Sequence, residues 1–331
     1  MEASGSKIEF ERTMTEVSKP TLVRPLALAS LIANIGLVVT GAAVRLTGSG
    51  LGCPTWPRCT DQSYTTTQEM GVHGVIEFGN RLLGIALGLI ALATFVAALL
   101  HKPRRRSLVL LSLAAGLGIP GQGVIGGITV LTDLNPWVVG LHFLLSMALI
   151  AVTYALWQRT KEGDAPTRPL VAPPLRHLAG FMTVVSAAVL VVGVIVTGSG
   201  PHAGDEDAKR TGLDPAEVSQ AHADLVFLLI GLSVALWFAL RAVNAPPAAV
   251  RAAALFVVVE LAQGLIGFVQ YFTHLPVILV GAHMLGACLV WVGTLNVLWR
   301  LRDRPAPVTP TPVPPADTAA EPLPQSPAPV A

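Results

Sequence analysis

Charge is scarce in this chain. Only 13% of its 331 residues are Asp, Glu, Lys or Arg, while 52% are hydrophobic and the mean hydropathy is +0.63, which excludes a soluble globular domain of this length. Cysteine is scarcer still, with three residues, so bridges cannot be what holds the fold. A removable leader is also missing. Residues 1–24 include Glu2, Glu9, Glu11 and Glu16, and the apolar run that follows has full span length without a small-residue cleavage site. Neither a transit peptide nor a secretory signal fits.

What the chain has in plenty is apolar runs. A span needs about 20 apolar residues to cross roughly 30 Å of hydrocarbon, and eight stretches qualify, near 25–46, 69–100, 107–131, 137–158, 176–198, 215–240, 252–272 and 276–299. The chain therefore reads as an all-α multi-pass membrane protein. Seventeen of the 22 Lys/Arg residues fall in 1–24, 101–106, 159–176, 241–251 and 300–304, while the intervening loops hold only Arg45, Arg58, Lys209 and Arg210. By the positive-inside rule both termini are cytoplasmic, and the loops around 47–68 and 199–214 face outward. From Pro305 onward the chain is Pro, Ala, Thr and Val with scattered acids, a composition that cannot bury a core.

The third and fourth spans contain QGVIGGITVLTDLNPWVVGLHFLL, and the seventh and eighth contain QGLIGFVQYFTHLPVILVGAHMLG. Gln122 to His142 and Gln263 to His283 are both twenty residues. A duplicated four-span unit follows, and because four is even both copies enter the membrane in one direction, related by an axis along its normal. The expected organisation is a cytoplasmic segment (1–24), a first four-helix bundle (25–158), a linker (159–175), a second bundle (176–299) and a disordered Pro-rich tail (300–331).

Histidine is where the repeat carries chemistry. His73, His142, His222 and His283 all fall in the first turns of even-numbered spans, in the outer half of the membrane. Helix capping gives one register: Thr66 as N-cap with Glu69 third, and Asp214 as N-cap with Pro215 first, which puts His73 seven residues and His222 eight residues past their caps. The Gln/His repeat gives another, in which Asn80 stands opposite His222, since the separations to His142 and His283 are 62 and 61. Four histidines at matched depth point to ligands rather than isolated helix contacts. Two imidazoles from facing helices suit an iron porphyrin, with one axial ligand on each face, whereas zinc wants three or four protein ligands with Cys or carboxylate nearby.

Several further residues have two readings each. Gly123, Gly126, Gly127, Gly264 and Gly267 allow a flat cofactor or a neighbouring helix to approach. Gln122 and Gln263 either orient a ligand or bridge helices. Arg45, at the outer end of the first span, is a partner for heme propionates or a snorkelling arginine. His73, Glu77, Asn80 and Arg81 share one face of the second span, and Glu77 with Arg81 forms an i,i+4 ion pair in the favourable order. Cys53 and Cys59, in the outward loop, are expected to form a disulfide, against two free thiols or a redox-active dithiol. Cys288 is expected to serve packing.

VVTGAAVRLTGSGLGCPTWPRC, IEFGNR, GLHFLLS and GAHMLGA, within a duplicated eight-span chain, resemble the heme A synthase family over roughly residues 25 to 300. The resemblance implies oxidation of the methyl substituent of heme O to the formyl group of heme A, in a bacterial cell membrane. It implies a heme B held by His222 and His283 in the second half, and heme O as substrate in the first. Glu77 matches the family's glutamate and is the expected catalytic acid, with Asn80, Arg81 and Gln122 as substrate contacts. Many members carry histidine where this chain has Asn80, so two geometries stand for the first half: His73 with His142, which depth favours, or His142 alone. Heme O synthase and cytochrome oxidase assembly factors are partners implied only by the family; a homo-oligomer is compatible, and nothing calls for nucleic acid. The competing function is a membrane cytochrome b with two bis-histidine hemes, which leaves Glu77 and Asn80 idle; a repeat-built transporter would place its polar path near the midplane.

Overall fold

The computed structural model describes residues 22–304, and most of the N-terminal segment and the Pro-rich tail beyond Arg304 lie outside them. Eight helices long and apolar enough to cross a membrane make up the fold: α1 (Val23–Leu46), α2 (Gly71–Leu100), α3 (Arg106–Leu131), α4 (Pro136–Arg159), α5 (Pro173–Ser199), α6 (Pro215–Ala242), α7 (Pro247–Phe272) and α8 (Val277–Arg300). A single-turn 3₁₀ segment (Gln68–Met70) leads into α2, and two short strands, β1 (Arg168–Pro169) and β2 (Arg302–Asp303), pair antiparallel. Among the described residues the protein is all-helical in every other respect.

Proline sets several helix starts. α4, α5, α6 and α7 each carry Pro in the first turn, where its missing N–H costs nothing and its fixed φ favours the helix. α5 and α7 begin three and five residues before their apolar runs, because the Pro-led first turns, with Arg176 and Arg251, extend past the apolar stretch. Asp214 caps α6 as expected, accepting from the Ala216 N–H at 2.7 Å. The Thr66–Glu69 capping box does not form: Thr67 precedes the 3₁₀ turn without a side-chain cap, and Gly71 at φ 56 redirects the chain into α2.

The repeat extends into the turns. The α3–α4 turn holds Asp133 and Leu134 at positive φ, and the α7–α8 turn holds His274 and Leu275 likewise. Thr132 and Thr273 each donate from Oγ1 to the carbonyl four residues back at 2.7 Å. Helices α1 to α4 touch in a closed cycle, each packing on the next and α4 on α1, and α5 to α8 do the same. The two cycles meet where α1 packs on α8, α4 on α5, and α4 on α8.

That seam is apolar with a few buried bonds. Leu31, Met147, Ile150, Tyr154 and Cys288 form its core, so Cys288 is a packing residue. Trp291 Nε1 donates to the Met147 carbonyl at 3.0 Å and Tyr154 pairs with Asn296 at 3.1 Å. Outward-facing Ile85, Leu89, Leu117, Leu255 and Ile278 are exposed, as lipid-facing side chains must be and water-facing ones rarely are in such numbers. One end of the molecule carries the loops 47–67 and 200–214; it is called the disulfide end below. The other carries both described chain ends.

Candidate functional site

His222 on α6 and His283 on α8 come from helices that do not touch each other across the second cycle. Their rings meet in its interior, with centroids 6.5 Å apart and planes inclined at 65°. An imidazole nitrogen lies about 2 Å from a bound metal, so two rings ligating one ion from opposite faces have centroids about 6 Å apart. The pair has that spacing.

Each ring has a glycine behind it. A Cβ on Gly193 would stand 3.1 Å from His222 Cε1, and one on Gly267 would stand 3.2 Å from His283 Cε1. The Nδ1 atoms of His283 and His142 are buried without a partner. That of His222 is likewise buried without a partner. Gln263 donates to the His283 carbonyl at 2.8 Å, and Gln122 donates to the His142 carbonyl at 3.0 Å and to Ser146 at 2.7 Å. Both glutamines bridge helices.

The first half repeats three parts of this arrangement and changes the fourth. His142 on α4 is backed by Gly126, with a Cβ there 3.2 Å from its Cε1. On α2, Asn80 faces Gly41 at the looser distance of 3.9 Å from a Cβ there, and its Oδ1 accepts from Thr40 at 2.7 Å. His73 lies seven residues nearer the disulfide end, about 10 Å along the helix. It is exposed, 2.9 Å from Ser49, and opens onto a cavity of about 600 Å³ beside Met70 and Asp205.

Glu77 is buried at 6% exposure and both its oxygens are engaged. Oε2 accepts from the Cys53 N–H, and Oε1 from Arg81 Nε at 3.2 Å and Nη2. Arg81 in turn donates to the carbonyls of Cys53 and Thr55 at 3.1 Å and of Arg58 at 3.2 Å. A buried charge needs such pairing, because an unpaired one costs several kcal/mol. Cys53 and Cys59 are joined by a disulfide, and the loop they close sends Trp56 onto α3, where its ring occupies the space a Cβ on Gly127 would need. Arg45 donates to the carbonyls of His202 and, at 2.7 Å, of Thr197, tying α1 to the second half.

The donor set fits heme better than a bare ion: a facing imidazole pair in one helix cycle and a single imidazole in the other, with no cluster of three or more His, Cys, Asp or Glu among the described residues. Residues 24–295 match the family model described as cytochrome oxidase assembly protein. The chain belongs to this family. Members of similar sequence include the heme A synthase of Geobacillus kaustophilus, 26% identical over 300 residues that cover 85% of this chain and 92% of the relative. That of Alkalihalophilus pseudofirmus is 29% identical over 52% and 59%, and that of Symbiobacterium thermophilum 28% over 53% and 58%.

Four residues of this family member escaped the sequence reading. Gly41 and Gly193 were invisible because they lie on α1 and α5, where the repeat is weak. Trp56 carries no signal of its own. Glu260, buried at 3% and accepting from Ser233 at 3.0 Å, is an intramembrane carboxyl that stands out by type alone.

Proposed function

We propose that this chain is a heme A synthase, oxidising the methyl substituent of heme O to the formyl group of heme A. One observation carries the reading: in a member of this family three glycine-backed imidazoles stand inside the two helix cycles, His222 facing His283 in one and His142 in the other. A bis-histidine pair holds a resident cofactor firmly. A single histidine leaves one face of the iron without a strong ligand, which suits a substrate that must enter and leave.

In this reading the halves are two tandem, pseudo-symmetric four-helix bundles with both termini cytoplasmic and the disulfide end outside, as the Lys/Arg distribution supports. His222 and His283 would hold heme B, which would supply one-electron redox chemistry when bound. His142 holds the iron of heme O, and Asn80 faces it from α2; the rim placement of His73 favours this geometry over a His73–His142 pair. Glu77, one turn from Asn80 toward the disulfide end, is a fixed carboxylate that takes up protons released as the methyl group is oxidised. Arg81 and the disulfide loop keep it in place, and Trp56 covers the site from water. Arg45 keeps Nη1 free for a propionate, and Gln122 sets the pitch of the His142 helix. Heme O synthase and cytochrome oxidase assembly factors are the partners this activity implies.

The test is Asn80→His. The expected result is a second six-coordinate, low-spin heme signal in the electron paramagnetic resonance spectrum with heme O turnover retained, since many members carry histidine at this position. An unchanged spectrum would set Asn80 away from the first-half iron and overturn the pairing of His142 with Asn80.

A further inference from the structure

At the end opposite the disulfide lies a cavity of about 290 Å³ that the heme chemistry does not use. It forms where α4 and α8 end, α7 begins, and β1 pairs with β2. Lys161, Arg300, Arg302 and Arg304 line it, against two carboxylates, Glu162 and Asp303. Glu162 is already engaged: it accepts from Arg159 at 2.8 Å and from Trp299 Nε1 at 2.6 Å. Arg302 and Arg304 reach it only at 3.5 and 3.6 Å, and Arg304 Nε makes no hydrogen bond. Asp164 does not help, because it serves Arg105 and Arg159. The cavity thus gathers more positive charge than the described residues neutralise.

Two further features sharpen its chemistry. α7 starts at the cavity wall behind Pro246, which gives it no side-chain cap, so the positive end of a 26-residue helix adds to the field. Burial, with Arg24 and Arg300 close by, pushes the Lys161 amine down to about 8. An anion would relieve that crowding. Depth favours a lipid over a free ion: Lys161 sits 3.0 Å over the Trp157 ring and Arg302 3.8 Å over Trp299. Tryptophan rings at span ends mark the membrane boundary, where cations reach headgroups.

We infer that this cavity binds the phosphodiester headgroup of an anionic phospholipid, held by Arg302, Arg304 and Lys161. Guanidinium groups match phosphate oxygens in pairs, and basic pockets at this depth are suited to such headgroups. The site is independent of the heme assignment.

The test uses the full chain purified with its hemes. Phosphatidylglycerol, phosphatidylcholine or inorganic phosphate is added, lipid retention is read by native mass spectrometry, and the unfolding midpoint is followed. Phosphatidylglycerol should be retained and raise the midpoint saturably, while the other two should not. Arg302→Gln with Arg304→Gln should weaken phosphatidylglycerol about thirtyfold, the worth of two basic contacts, with the heme absorption spectrum unchanged. If that variant fails to fold, Lys161→Gln with Arg300→Gln, which removes no ion pair, should weaken it too. Equal retention of phosphatidylcholine, stabilisation by inorganic phosphate alone equal to that by phosphatidylglycerol, or folded variants that bind like the parent would each overturn the assignment.

Discussion

A methyl group is enough to test the histidine sites. On Gly267 it would stand 3.2 Å from the His283 ring, whereas on Gly264, one turn away, it would meet nothing within 4 Å. Overpacking of this kind costs about 1–3 kcal/mol, and the cheapest relief is for the imidazole to swing away. Gly267→Ala should therefore lower heme B per protein several-fold, read by pyridine hemochromogen, while Gly264→Ala retains it; equal heme contents would remove the glycine backing from the explanation. Glu77→Gln separates two roles at one residue. Glutamine keeps one accepting oxygen, for Cys53 or for Arg81 but not for both, and cannot take up a proton. A fall in heme O turnover of about 10²-fold or more, with heme B retained, is expected; full turnover would leave Glu77 as a loop anchor alone.

Among elements, the disulfide loop depends most on a single contact set. Arg81 joins α2 to three loop carbonyls and to Glu77, so Arg81→Met should destabilise more than Glu77→Gln does. It strands a buried carboxylate at a cost of about 3–5 kcal/mol, and a midpoint loss no larger than that of Glu77→Gln would contradict the pairing. At the opposite end Arg105, with Arg159, holds the Asp164 carboxyl below its ordinary range. A depressed folded-state value means that this stabilisation is present above the ordinary aspartate range and is lost as pH falls through the folded value. The midpoint difference between the parent and Asp164→Asn should thus be flat near neutrality and shrink only in acid. A difference that grows on acidification would have the wrong sign.

The elements also show what was legible before any coordinates. Apolar run length announced all eight helices, and the twenty-residue Gln-to-His interval announced that α3–α4 and α7–α8 share one geometry, down to the positive-φ residues of their turns. Depth along a helix was misleading for His73, because counting from a cap assumed that α2 begins at Thr66. The chain instead makes a 3₁₀ turn and swings through Gly71, which leaves His73 on the rim. Repeat register needed no such assumption and put Asn80 opposite His222. The Glu77–Arg81 pair was readable from its spacing. Its hold on Cys53 was not, since a loop folding back onto a helix leaves no periodic trace.

For the whole molecule the question is why a duplicated protein keeps its halves unequal. The two cycles share their turns, bridging glutamines and glycine-backed imidazoles, and they differ at Asn80 and in the disulfide loop that lays Trp56 on α3. Both differences fall in one half, which is what a resident cofactor beside an exchanging substrate requires and what two equivalent electron-transfer sites do not. The most direct measurement is to purify the chain in detergent from cells that also make heme O, extract the non-covalent heme, and identify it by liquid chromatography with mass detection. Heme B together with heme O, its hydroxylated form or heme A is the expected result. Heme B alone, despite available heme O, would contradict a substrate site in the first half and leave a membrane cytochrome b.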